Sequence, residues 1–91
     1  MELKIVEQTW ETVRGEWIYR IREIQGAEWR AGRFPATMIS RVPTNRPLWN
    51  HGVIKQMFDR QAGKFVPASM VSRSVHFKTV DEAIAVIEQQ S

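Results

Sequence analysis

The chain has 91 residues, 43% of them hydrophobic and 25% charged, with no cysteine and a formal net charge of +3. Such totals describe one small globular domain that buries roughly 60–68% of its unfolded surface, and they exclude disulfide staples and thiolate metal sites. No run of about 18 apolar residues is present to cross a membrane. The opening MELKIVEQTW lacks the charged start and apolar stretch of a signal peptide, so a reducing cytoplasm is the expected compartment.

In chain order, residues 3–10 mix β-branched and polar side chains and read as a first strand. Residues 15–26 are a clearer strand: Trp17, Tyr19 and Ile21 share one face at period two, Arg20 and Arg22 share the other, and Gly15 and Gly26 punctuate the ends. In residues 28–42, Gly32 and Pro35 break the pattern into short or edge pieces, and the better strand is 36–42. Residues 53–59 fit neither strand nor helix period cleanly. Gly63 marks a turn in 59–64, and a β pattern resumes after Pro67 with Val71, Arg73, Val75 and Phe77 on one side.

The last segment is the most legible. Thr79 precedes Val80-Asp81-Glu82, the capping-box spacing in which a hydroxyl and a carboxylate satisfy free amides at a helix start. Val80, Ala83, Ile84 and Ile87 then form one apolar stripe, which predicts an amphipathic helix over about residues 80–89. The expected fold is α+β: four or five mostly antiparallel strands packed by this C-terminal helix. Its apolar face has to lie on the sheet.

Enzyme chemistry has little support. The two histidines, His51 and His76, have no metal-ligand spacing, the glycines form no phosphate cradle, and a triad of Ser72 or Ser74 with His51 and Asp59 lacks a nucleophile elbow. No cofactor is implied, and a non-catalytic protein is expected.

The charge distribution is more informative. Residues 29–78 carry nine basic side chains against Asp59 alone, a balance of +8, while residues 1–28 and 79–91 are acidic at −2 and −3. Nine of the chain's thirteen basic residues are arginine, whose planar fork binds phosphate bidentately and stacks on bases. Aromatic and basic residues alternate in this middle segment, as polyanion binding with base stacking requires. The candidate contacts are Arg30, Arg33, Arg41, Arg46, Lys55 and Arg73, with Trp49 and His51 stacking. Trp29, Phe34, Phe58, Phe65, Phe77, Trp17 and Tyr19 are expected in the core instead, and Arg20 and Arg22 on a solvated sheet face.

Trp49 lies in RVPTNRPLWNHG (41–52), a proline-stiffened loop that either folds back over a hydrophobic edge or displays its indole to a partner. The function expected is a binding module for single-stranded nucleic acid or RNA. The alternative is a protein-interaction module that presents the same basic face to an acidic protein. Self-association as a homodimer through a strand edge or through Trp49 is a further expectation. The run HFKTVDEAIAVIEQ (76–89), a strand entering a capped helix, resembles the compact sheet-plus-helix modules of some phage integrases, and the basic sheet resembles small single-strand binders. The central loop follows neither pattern, and no functional residue is carried over.

Overall fold

The computed structural model describes residues 6–25, 28–29, 32–33 and 36–90. Seven strands, a 3-10 turn and one helix follow in order: β1 (Val6–Arg14), β2 (Trp17–Gln25), β3 (Glu28–Trp29), β4 (Gly32–Arg33), β5 (Ala36–Pro43), β6 (Gln56–Asp59), β7 (Lys64–Pro67), the 3-10 turn Ala68–Met70, and α1 (Val80–Glu88). Five strands form one antiparallel sheet in the order β1-β2-β5-β6-β7, and β3 and β4 make a separate two-stranded ribbon. The α+β architecture read from the sequence is the one observed.

The β1–β2 hairpin turns on Gly15-Glu16. Gly15 has φ +62° and Glu16 does not have a positive φ, which is the II′ arrangement that matches the twist of paired strands. From this end of the sheet Arg14 reaches across to the C-terminus of α1. Its Nε donates to the Gln90 carbonyl at 2.9 Å and its Nη2 to the Glu88 carbonyl at 3.0 Å, placing a cation on the negative end of the helix. At the other end the Thr79 hydroxyl accepts from the Glu82 amide at 3.2 Å, so the predicted cap is present.

Period two then separates the faces of the sheet. Tyr19, Ile21, Ile39 and Phe65 point toward α1 and form the core with Phe77, Ala83 and Ile87; Trp17, Phe58, Val80 and Val86 pack around it. Rings of Tyr19, Phe58 and Phe77 meet in edge or tilted contacts with centroids 5.3–5.8 Å apart, two of them on Phe65. The core aromatics expected from the sequence are therefore in place, except that the side chains of Trp29 and Phe34 lie outside the described residues.

The sequence reading needs one correction here. The β pattern expected after Pro67 is absent; the strand ends at that proline, and residues 71–76 are irregular, returning to the sheet only at a bridge between Thr37 and Phe77. Asp59 organises this segment in place of a strand ladder. Its buried carboxylate accepts from the Gln61 and Ala62 amides at 3.0 and 3.2 Å, and from the Ser72 hydroxyl and amide at 2.8 and 3.1 Å. Arg60 adds its amide to the Ser74 carbonyl and its guanidinium to the His76 carbonyl. Side-chain bonding from an Asp competes with, and here replaces, regular strand pairing.

The hydrogen bonds from Ser72, first its amide and then its hydroxyl, hold the Asp59 carboxyl below the ordinary aspartate value. A carboxylate depressed on folding contributes stability that is fully present above its unfolded pKa and is lost as pH falls through the folded value. Acid unfolding should therefore set in below about pH 4, the ordinary aspartate range. Asp59→Asn should lower the melting temperature at neutral pH and flatten the loss of stability in acid, read from thermal melts at a series of pH values.

Candidate functional site: the loop-covered face of the sheet

Residues on the face away from α1 are not all solvated. Ala36, Ser40 and Val42 of the central strand β5 alternate with the core residues Thr37 and Ile39, yet they too are buried, Val42 completely. The loop between β5 and β6 folds back over this face, setting Trp49 on Arg20, the cross-strand partner of Ser40. Pro43 ends β5, and the Thr44 amide bonds to the Glu16 carbonyl at 2.8 Å. The Leu48 amide then closes on Arg46 at 2.8 Å around Pro47, a γ-turn whose central φ suits proline. The His51 amide reaches the Leu48 carbonyl and the Lys55 amide the His51 carbonyl, so the chain turns twice within eight residues. The imidazole Nδ1 of His51 accepts from the Val53 and Ile54 amides, both at 3.3 Å, capping the second turn. Ser69 and Ala68 donate back to Gly52 and Lys55, and a Cβ on Gly52 would stand 3.3 Å from that of Ser69, so the close approach favours glycine.

This folding brings Trp49 back onto the sheet. Its half-buried indole lies under the Arg20 guanidinium, 3.9 Å from the ring centroid, on the face opposite Tyr19. Of the two placements open to Trp49 from the sequence, the structure shows the indole folded back, here onto Arg20 of the interior strand β2. Arg20 in turn holds Glu11, its direct cross-strand partner, through Nη2 at 2.6 Å and Nε at 3.1 Å, and Arg22 holds Glu7 at 2.7 Å. The hydrogen bond from Arg22 keeps the Glu7 carboxyl below its ordinary value and raises the Arg22 guanidinium.

Lys55, at the end of the loop, completes the group. Burial first, then the positive charges of Arg22 and Arg20, hold its ammonium below the ordinary lysine value. Among the described residues it has no carboxylate partner. Three cations and one indole thus meet on this face, and only two of the cations are paired with acids.

The expected contacts do not gather as one patch. Trp49 and Lys55 come together, and they do so with Arg20 and Arg22, whose sheet face the sequence pattern suggests is solvated. The signal for that pair was available: two arginines at i and i+2 on a strand whose other face is aromatic must share one side. Arg46, His51 and Arg73 are exposed, with the Nδ1 of His51 engaged by its own loop. Arg30 and the side chain of Arg33 lie outside the described residues.

Arg41, expected among the phosphate contacts, belongs instead to the opposite, helix-side face. Its guanidinium lies 3.9 Å from the Trp17 ring centroid and 4.1 Å from that of Phe65, and it donates to the Gln56 side chain at 2.7 Å and to the Tyr19 hydroxyl at 3.2 Å. Both faces and two donor nitrogens are committed to the fold. Nor do Ser72, His51 and Asp59 assemble as a triad, because the Ser72 hydroxyl is bonded to Asp59 while the His51 Nδ1 caps its own turn. Among the described residues no three His, Asp or Glu side chains converge as a metal site, and no helix is long and apolar enough to cross a membrane.

Comparison with known protein families, with curated proteins and with solved structures finds no match to this chain.

The structural assignment of Arg41 is directly testable. Arg41→Lys keeps the charge but loses the planar stack between two rings and the forked donor geometry, and should cost about 2 kcal/mol of stability in urea unfolding. The same exchange at the exposed Arg46 should be nearly silent, within about 0.5 kcal/mol.

Proposed function

We propose that this protein is a non-catalytic binding module whose loop-covered sheet face takes single-stranded nucleic acid or RNA. The observation that carries the reading is Lys55, a partly buried ammonium with no acid beside it, held next to Arg20, Arg22 and the Trp49 indole. An uncompensated cation in a positive field is stabilised by whatever anion arrives, and a phosphate brings the charge without the burial cost of a third acid side chain. Arg46, exposed on the same loop, extends the path along which a phosphodiester backbone could run. The Arg20–Trp49 stack offers a π surface of the kind unpaired bases use, and helix α1 is acidic, which argues against its reading a duplex major groove.

A second reading, an acidic protein as the partner, is favoured by the way Glu7 and Glu11 sit on Arg22 and Arg20, since carboxylates already fit this face. Protein purified without nuclease separates the two: an absorbance ratio raised by bound nucleic acid supports the first, and a clean spectrum with a discrete acidic protein the second.

The direct experiment is fluorescence anisotropy with a labelled single-stranded oligonucleotide across a salt series. With about four phosphate contacts, log K should fall against log salt with a slope of about −3. Lys55→Gln should weaken binding at low salt and lower the slope by about 0.7, one contact's share. Affinity that is unchanged by salt, or by Lys55→Gln, would overturn the reading.

A further inference from the structure

We infer that the outer edge of β1 is a pairing surface for a second copy of this chain, joined antiparallel about a two-fold axis at Trp10 to make a continuous ten-stranded sheet. The inference is independent of the ligand proposed above.

The two edges of the sheet differ. β7 is four residues long and ends at Pro67, so it offers little backbone for pairing. β1 runs nine residues, matched one for one with β2 without a bulge, and contains neither lysine nor proline. Proteins that keep an edge monomeric ordinarily interrupt it with such devices. Among the described residues nothing pairs with the outer side of β1. Two large apolar side chains stand exposed among its polar ones: Trp10 is 42% and Val13 65% exposed, and Ile84 of α1 stands nearby at 40%. Between the strand and the helix lies an open groove of about 370 Å³, walled by Trp10, Val80, Ile84 and Ile87.

The choice of occupant follows from charge and register. Two copies related by a two-fold normal to the sheet keep their helices on the same side, so like-facing residues must oppose one another. Centring on Glu11 would set that carboxylate against itself, and centring on Thr9 would set Glu7 against Glu11. Centring on Trp10, the midpoint of the strand, avoids both clashes and uses all nine residues. It places Trp10 against Trp10 of the second copy, Thr9 against Glu11, and Val13 against Glu7. The two indoles then meet between the two grooves and cover the apolar surface that a single chain leaves exposed. The ion pairs of Glu7 and Glu11 with Arg22 and Arg20 of their own chain reduce, without abolishing, the negative charge that the edge presents to its copy.

Sedimentation equilibrium of the full chain, from micromolar to several hundred micromolar, should show a monomer–dimer equilibrium. Val13 is exposed, so its variants should keep the circular dichroism of the parent. Val13→Glu sets two new carboxylate pairs across the interface and should weaken the dimer about tenfold, whereas Val13→Lys sets two Lys–Glu pairs and should preserve or tighten it. A chain that stays monomeric throughout overturns the proposal, and so does a dimer on which the two Val13 variants act alike. A Trp10→Cys chain, with that single thiol on the axis, should cross-link to a covalent dimer on mild oxidation; failure to do so while still dimeric overturns the register.

Discussion

The guanidinium of Arg41 is the contact on which the sheet depends. β5 and β6 are joined by only two residue pairs, Ser40 with Met57 and Arg41 with Gln56, whereas β1–β2 and β2–β5 pair along nearly their whole length. A junction that thin would be the weak seam between a three-stranded half and a two-stranded half. Arg41 spans it with its side chain, bonded to Tyr19 of β2 and Gln56 of β6 and stacked between Trp17 of β2 and Phe65 of β7. One cation therefore touches three strands besides its own. Arginine suits the position because its flat, weakly hydrated head accepts rings on both sides while its edge donates hydrogen bonds.

With Arg41 committed to the helix side, period two sends its neighbours Ser40 and Val42 to the other face, where they require cover of their own. The β5–β6 loop supplies it, and in doing so carries Trp49 and Lys55 to Arg20 and Arg22. The resulting cluster is the product of two separate needs. The indole folds back with its loop onto Arg20, beside the central strand β5, and the arginines hold the carboxylates of the edge strand. Lys55 alone serves neither, and this is why its charge is the informative one. A partly buried ammonium costs free energy on folding, and among the described residues nothing offsets it.

Around this centre the molecule secures its irregular parts with side chains rather than with backbone ladders. Asp59 gathers four donors to hold the 71–76 segment, His51 caps the turn before Lys55, and Arg14 ties the β1–β2 hairpin to the end of α1. The exception is β1, whose outer edge pairs with no strand among the described residues. The sheet is thus closed at its β7 end by brevity and Pro67, and open at its β1 end.

What the amino-acid sequence determined by itself is local. Alternation of Trp17, Tyr19 and Ile21 set the buried face of β2, Gly15 set the hairpin turn, and Thr79 with the stripe from Val80 to Ile87 set the helix, because each is a matter of backbone preference and side-chain period within a few residues. The α+β class follows from adding those pieces. The tertiary structure alone decided which cations would be neighbours. Arg41 and Arg46 are five residues apart and end on a half-buried stack and an open loop, while Arg20 and Lys55 are thirty-five apart and share one face. A charged side chain carries no period or turn signal for its surroundings; these are assigned by strand order, and strand order is a long-range property of how the sheet closes.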